Sequence, residues 1–301
     1  MRFRARQSIL RVLLLVILQT DLLIVSAASM MSRVAIVTGA NKGIGFTIAR
    51  KLGEAPNHAC ILTSRDPDRG QKAVEQLEAE GVKTLFKQLD INDPASVERF
   101  ATEIETEYGR CDILVNNGAI AFKGSDPTPF RDQAQPTLQT NFFDTVAFTE
   151  RMLPLLRKSS AGRVVNVASS SGHLSILKMN SLRAAFTDPS LTKERLSSLM
   201  KTFIEDVLAG RHDAQGWPST CYGMSKLGLI AYTRVAARME QEAGSGVLVN
   251  ACCPGYCDTD MTSHRGYLTP EEGARTPFML SQMDDNGVTG GFFKSQAPVD
   301  W

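Results

Sequence analysis

A glycine-rich turn between an apolar run and a helical pattern restricts the fold of this chain more than any other stretch. Residues 33–38 carry Val34, Ala35, Ile36 and Val37 in an unbroken row, which reads as a short strand buried on both faces. Gly39-Ala40-Asn41-Lys42-Gly43-Ile44-Gly45 follows and opens a helix running to about Gly53. Strand, glycine turn and helix N-terminus together make an anion site. The first amides of a helix lack intrahelical acceptors, and glycine lets a phosphate come close to the backbone. The spacing is Gly-x-x-x-Gly-x-Gly, not the commoner Gly-x-Gly-x-x-Gly of dinucleotide sites. The plain alternative is a tight strand-to-helix turn that holds nothing.

The same alternation then repeats. Strands are expected over residues 59–63, 84–89, 113–115, 163–167, 247–251 and 291–294, and helices over 69–80, 94–108, 134–156, 222–242 and 271–279. Strands separated by helices of this length imply an α/β fold, a doubly wound parallel sheet of the Rossmann type, with ligands at the carboxyl ends of the strands. The glycine turn, Asp90-Ile91 and Asn117 all fall at such ends. The second strand ends in Ser64-Arg65-Asp66. An acidic residue there would hold the ribose 2′-hydroxyl of NAD, whereas arginine suits a 2′-phosphate, so Arg65 with Lys42 favours NADP(H). Against this stands Arg65 as a solvated charge beside Asp66.

Tyr222-Gly223-Met224-Ser225-Lys226 puts a phenol and an amine one turn apart on one helix face. An ammonium beside a phenol favours the phenolate, so Tyr222 is expected to exchange its proton nearer neutral pH than a free tyrosine. Asn141, amid Leu138, Phe142, Phe143 and Val146, is a polar amide that must find partners inside an apolar helix. Ser169-Ser170-Ser171 after the fifth strand are turn formers, one of which becomes a candidate second hydroxyl. Between them and Tyr222, Leu196, Leu199, Met200, Phe203, Val207 and Leu208 form an amphipathic helical stripe, with Thr192 a cap and Gly210 a stop. That segment has to bury its own apolar face.

Charge decides against one class of partner: 33 Lys and Arg against 32 Asp and Glu leave no excess for nucleic acid. The four histidines stand singly and none of the six cysteines has metal-site spacing, so no metal is expected. Adjacent Cys252 and Cys253 make a poor disulfide, which points to free thiols in a reducing compartment and a cytoplasmic location. Arg2, Arg4 and Arg6 precede an apolar run over residues 9–25, interrupted by Arg11, Gln19 and Asp21 and followed by Ser26-Ala27-Ala28-Ser29. This is the layout of a secretory signal peptide. A membrane anchor, or a dispensable prefix ahead of a start at Met30 or Met31, are the other readings. Residues 1–31 are therefore set apart from a single domain over 32–301, and membrane contact is expected only if they are retained.

Thr38 to Gly45, Asn116-Asn117-Gly118, Ser169, Tyr222-x-x-x-Lys226 and Pro254-Gly255 occur in the order found in short-chain dehydrogenases/reductases, and the chain resembles that family over residues 33–301. Five features resemble its monomeric NADPH-dependent carbonyl-reducing branch. They are a helical insertion over about 175–219, Asn141-Phe142-Phe143, Gly216-Trp217-Pro218-Ser219, the run Asn250-Ala251-Cys252-Cys253-Pro254-Gly255, and Asp300-Trp301. The resemblance implies reduction of aldehydes, ketones or quinones with NADPH. Tyr222 would protonate the carbonyl oxygen, and Lys226 would lower its pKa and bind the nicotinamide ribose. Ser169, in a Ser-x-x-Gly pattern, would hydrogen-bond the carbonyl, and Asn141 would hold a water of the proton relay. Gly39, Asn41, Lys42, Gly43, Ile44, Gly45, Arg65, Asp90, Ile91, Asn117 and Thr259, with Tyr222 and Lys226, would contact the cofactor. In relatives without the insertion, the helices of Asn141 and Tyr222 form the oligomer contact, so an insertion covering them implies a monomer.

Two places depart from the family pattern. Asn-Asn-Ala-Gly appears as Asn116-Asn117-Gly118-Ala119, which puts a methyl where backbone passes close to the cofactor. Tyr256 and Cys257 replace other side chains and are expected to touch the substrate or nicotinamide pocket, and Cys253 reads as a pocket thiol or a buried inert one. The altered loop and the thiols motivate a non-catalytic NADP(H)-binding regulatory module as one alternative. The N-terminal run motivates a membrane-associated lipid or steroid dehydrogenase as another.

Overall fold

The computed structural model describes residues 32–301. The signal, anchor and alternative-start readings fall on residues 1–31 and lie outside the described residues. An eight-stranded sheet runs in the order β3-β2-β1-β4-β5-β6-β7-β8. Its strands are β1 (Arg33–Val37), β2 (His58–Ser64), β3 (Thr84–Gln88), β4 (Ile113–Asn116), β5 (Arg163–Val167), β6 (Leu248–Cys253), β7 (Phe292–Lys294) and β8 (Ala297–Pro298). All neighbouring pairs are parallel except β7 with the short β8, which the sequence pattern does not announce. Chain direction across the sheet reverses between β1 and β4, the switch point at which such sheets bind ligands. The expected α/β fold is the one observed.

The helices on one face are α1 (Gly43–Glu54), α2 (Pro67–Ala79) and α9 (Pro270–Ser281). They close a core built from Val37, Ile48, Leu52, Leu62, Leu77 and Val115. On the other face lie α3 (Pro94–Tyr108), α4 (Phe130–Leu138), α5 (Thr145–Leu156) and α8 (Cys221–Glu242), around Ile36, Phe100, Leu114, Phe142, Phe148 and Leu227. Helix starts follow local chemistry. Asp66 accepts from Arg69 N ahead of Pro67, Asp93 accepts from Ala95 N ahead of Pro94, and Thr269 and Glu272 form a capping box.

One expected helix is altered. Residues 134–156 do not form a single α-helix: it begins earlier, at Phe130, and Gln139–Asp144 is a π-helical turn between α4 and α5. The Thr145 hydroxyl donates to the Thr140 carbonyl at 3.0 Å, an acceptor five residues back that the wider turn leaves free. Asn141 sits in that turn, pinned from outside the helix by its bonds to Ile120.

The segment before Tyr222 folds as α6 (Asn180–Thr187) and α7 (Lys193–Leu208), the latter capped by Thr192 and followed by Gly210 at φ +69. α7 lies on α4 and α8. Gly228 of α8 gives it a seat, since a β-carbon there would be 2.4 Å from Met200 Cε. Lys193 pairs with Glu150 at 2.8 Å, and Glu150 also accepts from the buried Tyr232 hydroxyl at 2.8 Å.

Candidate active site

Six strand ends, β1 to β6, open onto a cleft of about 570 Å³. At one end lies the glycine turn. Lys42, the residue before α1, caps it with no side-chain bond, and no acidic residue occupies its first turn, so the α1 amides face the cleft without an internal acceptor. Gly39 and Gly43 both have φ +60, and a β-carbon on Gly39 would meet Gly118 Cα at 2.8 Å. Gly45 is tighter still, at 2.3 Å from Asn117 Nδ2, so the turn, the helix and the end of β4 can close together only with glycine there. Across the cleft, Thr259 stands over Gly43 at a β-carbon distance of 3.4 Å.

Every residue named above for cofactor contact lines this cleft: the turn residues from Gly39 to Gly45, Arg65 beyond β2, Asp90 and Ile91 beyond β3, Asn117 beyond β4, Thr259, and Tyr222 with Lys226. Two of them, Asn117 and Lys42, make bonds that sequence spacing does not show. Asn117 donates to the carbonyls of Thr38 (3.0 Å) and Gly39 (3.2 Å), while the amides of Asn117 and Gly118 both donate to Thr38 Oγ1 at 2.9 Å. Its side chain thus holds the glycine turn in shape. Lys42 Nζ pairs with Asp260 at 2.6 Å, and His264 bonds both Asp260 (3.0 Å) and Asp258 (2.7 Å). These two carboxylates raise the His264 pKa. Arg69, one helical turn beyond Arg65, also lines the cleft and pairs with Asp66 at 3.3 Å. It was legible as a second cation at that strand end, but was read only as the start of a helix.

Tyr222 and Lys226 line the other end of the cleft, and Ser169 follows the lining residue Ala168 without lining it itself. Tyr222 is in the first turn of α8, whose N-cap Thr220 accepts from Gly223 N at 3.0 Å. Of the three serines it is Ser169 whose side chain stands near enough to the Tyr222 phenol to act on its proton, while its Oγ accepts from Ser171 N at 3.1 Å. Two glycines bring these segments together. A β-carbon on Gly172 would sit 2.5 Å from Leu227 N, and one on Gly223 would sit 2.7 Å from the Ser171 carbonyl. Lys226 is 3% exposed, donates to the Val167 carbonyl at 2.9 Å, and has its ammonium 5.6 Å from the Tyr222 ring centre.

The expected acidification of Tyr222 by Lys226 does not hold in this geometry. Burial pushes the Tyr222 phenol up to about 12, with the Cys253 sulfur adding to the rise and the nearby Ser169 side chain opposing it. Lys226 goes the other way: burial brings it down to about 8, against the raising effect of Cys252 and Cys253. Tyr222 is therefore a protonated phenol at neutral pH, which is the form that can donate.

Asn141 does not line the cleft. It lies behind it, accepting from Ile120 N and donating to Ile120 O, both at 2.8 Å, and donating to Ser225 Oγ at 3.1 Å. Ser225 in turn donates to the Tyr222 carbonyl at 2.8 Å. A buried line of hydrogen bonds thus joins the loop after β4 to the backbone of the tyrosine. Ser225 was missed from sequence, because a serine within a helical stretch carries no sign of its partner. Cys257 corrects another expectation: it is buried with its thiol on the Pro254 carbonyl, packed where a β-carbon on Gly273 would lie 2.4 Å away, and it does not line the cleft. Tyr256 is exposed, with its ring 6.1 Å from that of Tyr267, and the buried Cys253 lies outside the cleft lining.

A switch-point cleft with a phosphate-type turn at one end and a paired phenol and serine beside a buried lysine at the other defines the class of a nucleotide-dependent oxidoreductase. The short chain dehydrogenase family model matches residues 33–185 and 208–267, and the chain belongs to that family. It is 45% identical over 273 residues to the carbonyl reductase (NADPH) 1 of Bos taurus, covering 89% of this chain and 98% of that protein. It is 46% identical over 253 residues to the carbonyl reductase (NADPH) 3 of Mus musculus, covering 83% and 91%. Among solved structures, salutaridine reductase from Papaver somniferum superposes with a TM-score of 0.80 at 32% identity, covering 87% of this chain and 99% of that one. An NADPH-bound carbonyl reductase from chicken fatty liver shares the fold, with a TM-score of 0.66 at 21% identity over 90% and 95%.

Proposed function

We propose that the protein reduces small-molecule carbonyl compounds to alcohols with NADPH. The observation that carries this reading is Tyr222 with Lys226, its ammonium 5.6 Å from the ring and Ser169 close by, at the far end of a cleft from an uncapped helix N-terminus. The residues present fit the cofactor. Glycines at 39, 43 and 45 leave room that a β-carbon would take, and Lys42, Arg65 and Arg69 supply positive charge for a 2′-phosphate. The carbonyl reductases to which the chain is similar bear NADPH in their names.

When bound, the reduced nicotinamide supplies the hydride. The chain's own part is position and proton. Ser169 and Tyr222 hydrogen-bond the carbonyl oxygen and stabilise the negative charge that develops on it, and Tyr222 Oη gives it the proton. With a pKa near 12 the phenol is uncharged at rest yet acidic enough to protonate an alkoxide. Lys226, held by the Val167 carbonyl, keeps a positive charge below pH about 8 for the ribose and the phenol. Asn141, already bonded to Ile120 and Ser225, supports a water that returns the proton from solvent.

The monomeric state belongs to the same reading: α7 covers α4 and α8, the surface that would otherwise pair two copies. So does a cytoplasmic location, which rests on six cysteines that are all free thiols, the adjacent Cys252 and Cys253 among them. Among the described residues no helix is long and apolar enough to cross a membrane.

A panel of aldehydes, ketones and quinones assayed with NADPH and NADH in parallel tests the proposal. Carbonyl-dependent oxidation of NADPH, at least about tenfold more efficient than that of NADH, is expected from the cations at the 2′-phosphate end. NADPH binding without turnover on the whole panel would contradict it.

A further inference from the structure

The insertion contains a buried charge for which the proposed reaction gives no task. Asp206, on the inner face of α7, is 4% exposed, and a carboxylate at that depth is costly unless its oxygens are matched. Both are: Oδ1 accepts from Arg211 Nε at 2.6 Å and Oδ2 accepts from the Trp217 indole N–H at 2.8 Å. An apolar side chain would have filled the position more cheaply, as Leu199, Phe203 and Val207 do along the same stripe. The pair therefore selects one seat for the indole, beyond what burial alone would supply. The remainder of that seat is aromatic, with Phe186 and Phe203 meeting Trp217 edge-on at centroid distances of 6.3 and 5.8 Å.

What the indole anchors lies on both sides of the reacting pair. Pro218, Ser219, Thr220 and Cys221 alone separate Trp217 from Tyr222. Pro218 restricts the backbone and Thr220 caps α8, so the link is short and stiff. In the other direction, Gly216 O accepts from Lys178 N at 2.8 Å. Met179 packs so close that a β-carbon on Gly216 would lie 2.4 Å from its Cγ. The chain from Ser169 runs through two short 3₁₀ turns, Ser170–Gly172 and Leu174–Ile176, directly into Lys178 and Met179. One anchor thus ties the insertion to the segment leading into Tyr222 and to the segment leading out from Ser169.

We infer that Asp206 is a positioning residue for the reaction, acting through the Trp217 indole to hold Tyr222 in register with Ser169. The inference rests on the carbonyl-reductase reading and gives the insertion a task beyond covering α4 and α8. Displacing a reacting group by about 1 Å costs on the order of a hundredfold in rate, even when the change is made at a distance.

The test compares wild type with Trp217→Phe, Asp206→Leu and Asp206→Asn on a carbonyl substrate, with NADPH affinity measured by nicotinamide fluorescence and melting followed on the same samples. Trp217→Phe keeps an aromatic ring between Phe186 and Phe203 but removes the N–H donor together with the volume of the indole's second ring, a packing loss that the melting curve registers. It is expected to lower kcat by roughly ten- to a hundredfold at temperatures well below its melting point, with the NADPH Kd within about twofold of wild type. Asp206→Leu should behave alike. Asp206→Asn, whose amide oxygen still accepts from the indole, should recover kcat to within about threefold. If Asp206→Leu does not fold, the contrast between Trp217→Phe and Asp206→Asn decides. A kcat unchanged in Trp217→Phe despite a lower melting point would overturn the inference, as would a loss of NADPH affinity in step with kcat. A wild type that binds NADPH but reduces no carbonyl would instead overturn the underlying reading, and the inference with it.

Discussion

Tyr222 and Lys226 show what four-residue spacing reveals and what it leaves out. The spacing placed phenol and amine on one face of a helix, and they are there, but the direction of their effect on each other depends on depth. Burial loosens the Lys226 proton despite its bond to the Val167 carbonyl, and burial raises the Tyr222 phenol although the ammonium lies 5.6 Å from its ring. These opposite shifts set the pH dependence. Tyr222 stays protonated through the physiological range, whereas Lys226 loses its charge as pH rises through about 8. Carbonyl reduction is therefore expected to be level below that pH and to decline above it. A kcat profile from pH about 6 to about 10 checks this, and a plateau reaching to pH about 10 would contradict the assignment. Asn141 and Ser225 were unequally legible for a related reason. An amide among Leu138, Phe142 and Phe143 calls for partners, but nothing local to either residue announces that Ser225 is one of them.

At the scale of elements, the strands β1, β2, β4, β5 and β6 were legible because each is a short, largely apolar run between turn signals and almost wholly buried, whereas the edge strand β3 is partly exposed. The Ala297–Pro298 strand has no pattern to read, and the π-helical turn at Gln139–Asp144 exists because Asn141 is held by a loop over twenty residues earlier. Of the two glycines that let the β5 turn approach α8, Gly172 makes the tighter contact. A β-carbon on Gly172 would lie 2.5 Å from Leu227 N and 2.6 Å from the Lys226 carbonyl carbon, both backbone atoms of the helix that carries Tyr222. Gly172→Ala should push turn and helix apart, destabilising the fold by roughly 1–3 kcal/mol and lowering kcat by roughly ten- to a hundredfold as Ser169 leaves Tyr222. Urea unfolding and steady-state kinetics on that variant measure the two effects. Wild-type kcat in a folded Gly172→Ala would show that the close approach is not needed.

For the whole molecule, the proposed monomeric state rests on the insertion. Its apolar stripe was legible at helical spacing, and so was the need to bury it. Its placement over the helix of Tyr222 was implied by the family resemblance, but the contacts that seat it were not legible, since Met200 meets Gly228 and Lys193 meets Glu150 only in three dimensions. With that surface covered, sedimentation at micromolar concentration should give the mass of one chain, and a dimer there would contradict the proposed role of α7. The central claim is that one molecule joins a nucleotide cleft to a phenol that protonates a carbonyl. Tyr222→Phe keeps the ring and removes the proton, so it tests that claim most directly. The variant should bind NADPH within about twofold of wild type and reduce a carbonyl that wild type turns over at least about a thousandfold more slowly. Turnover within about tenfold of wild type would contradict the account.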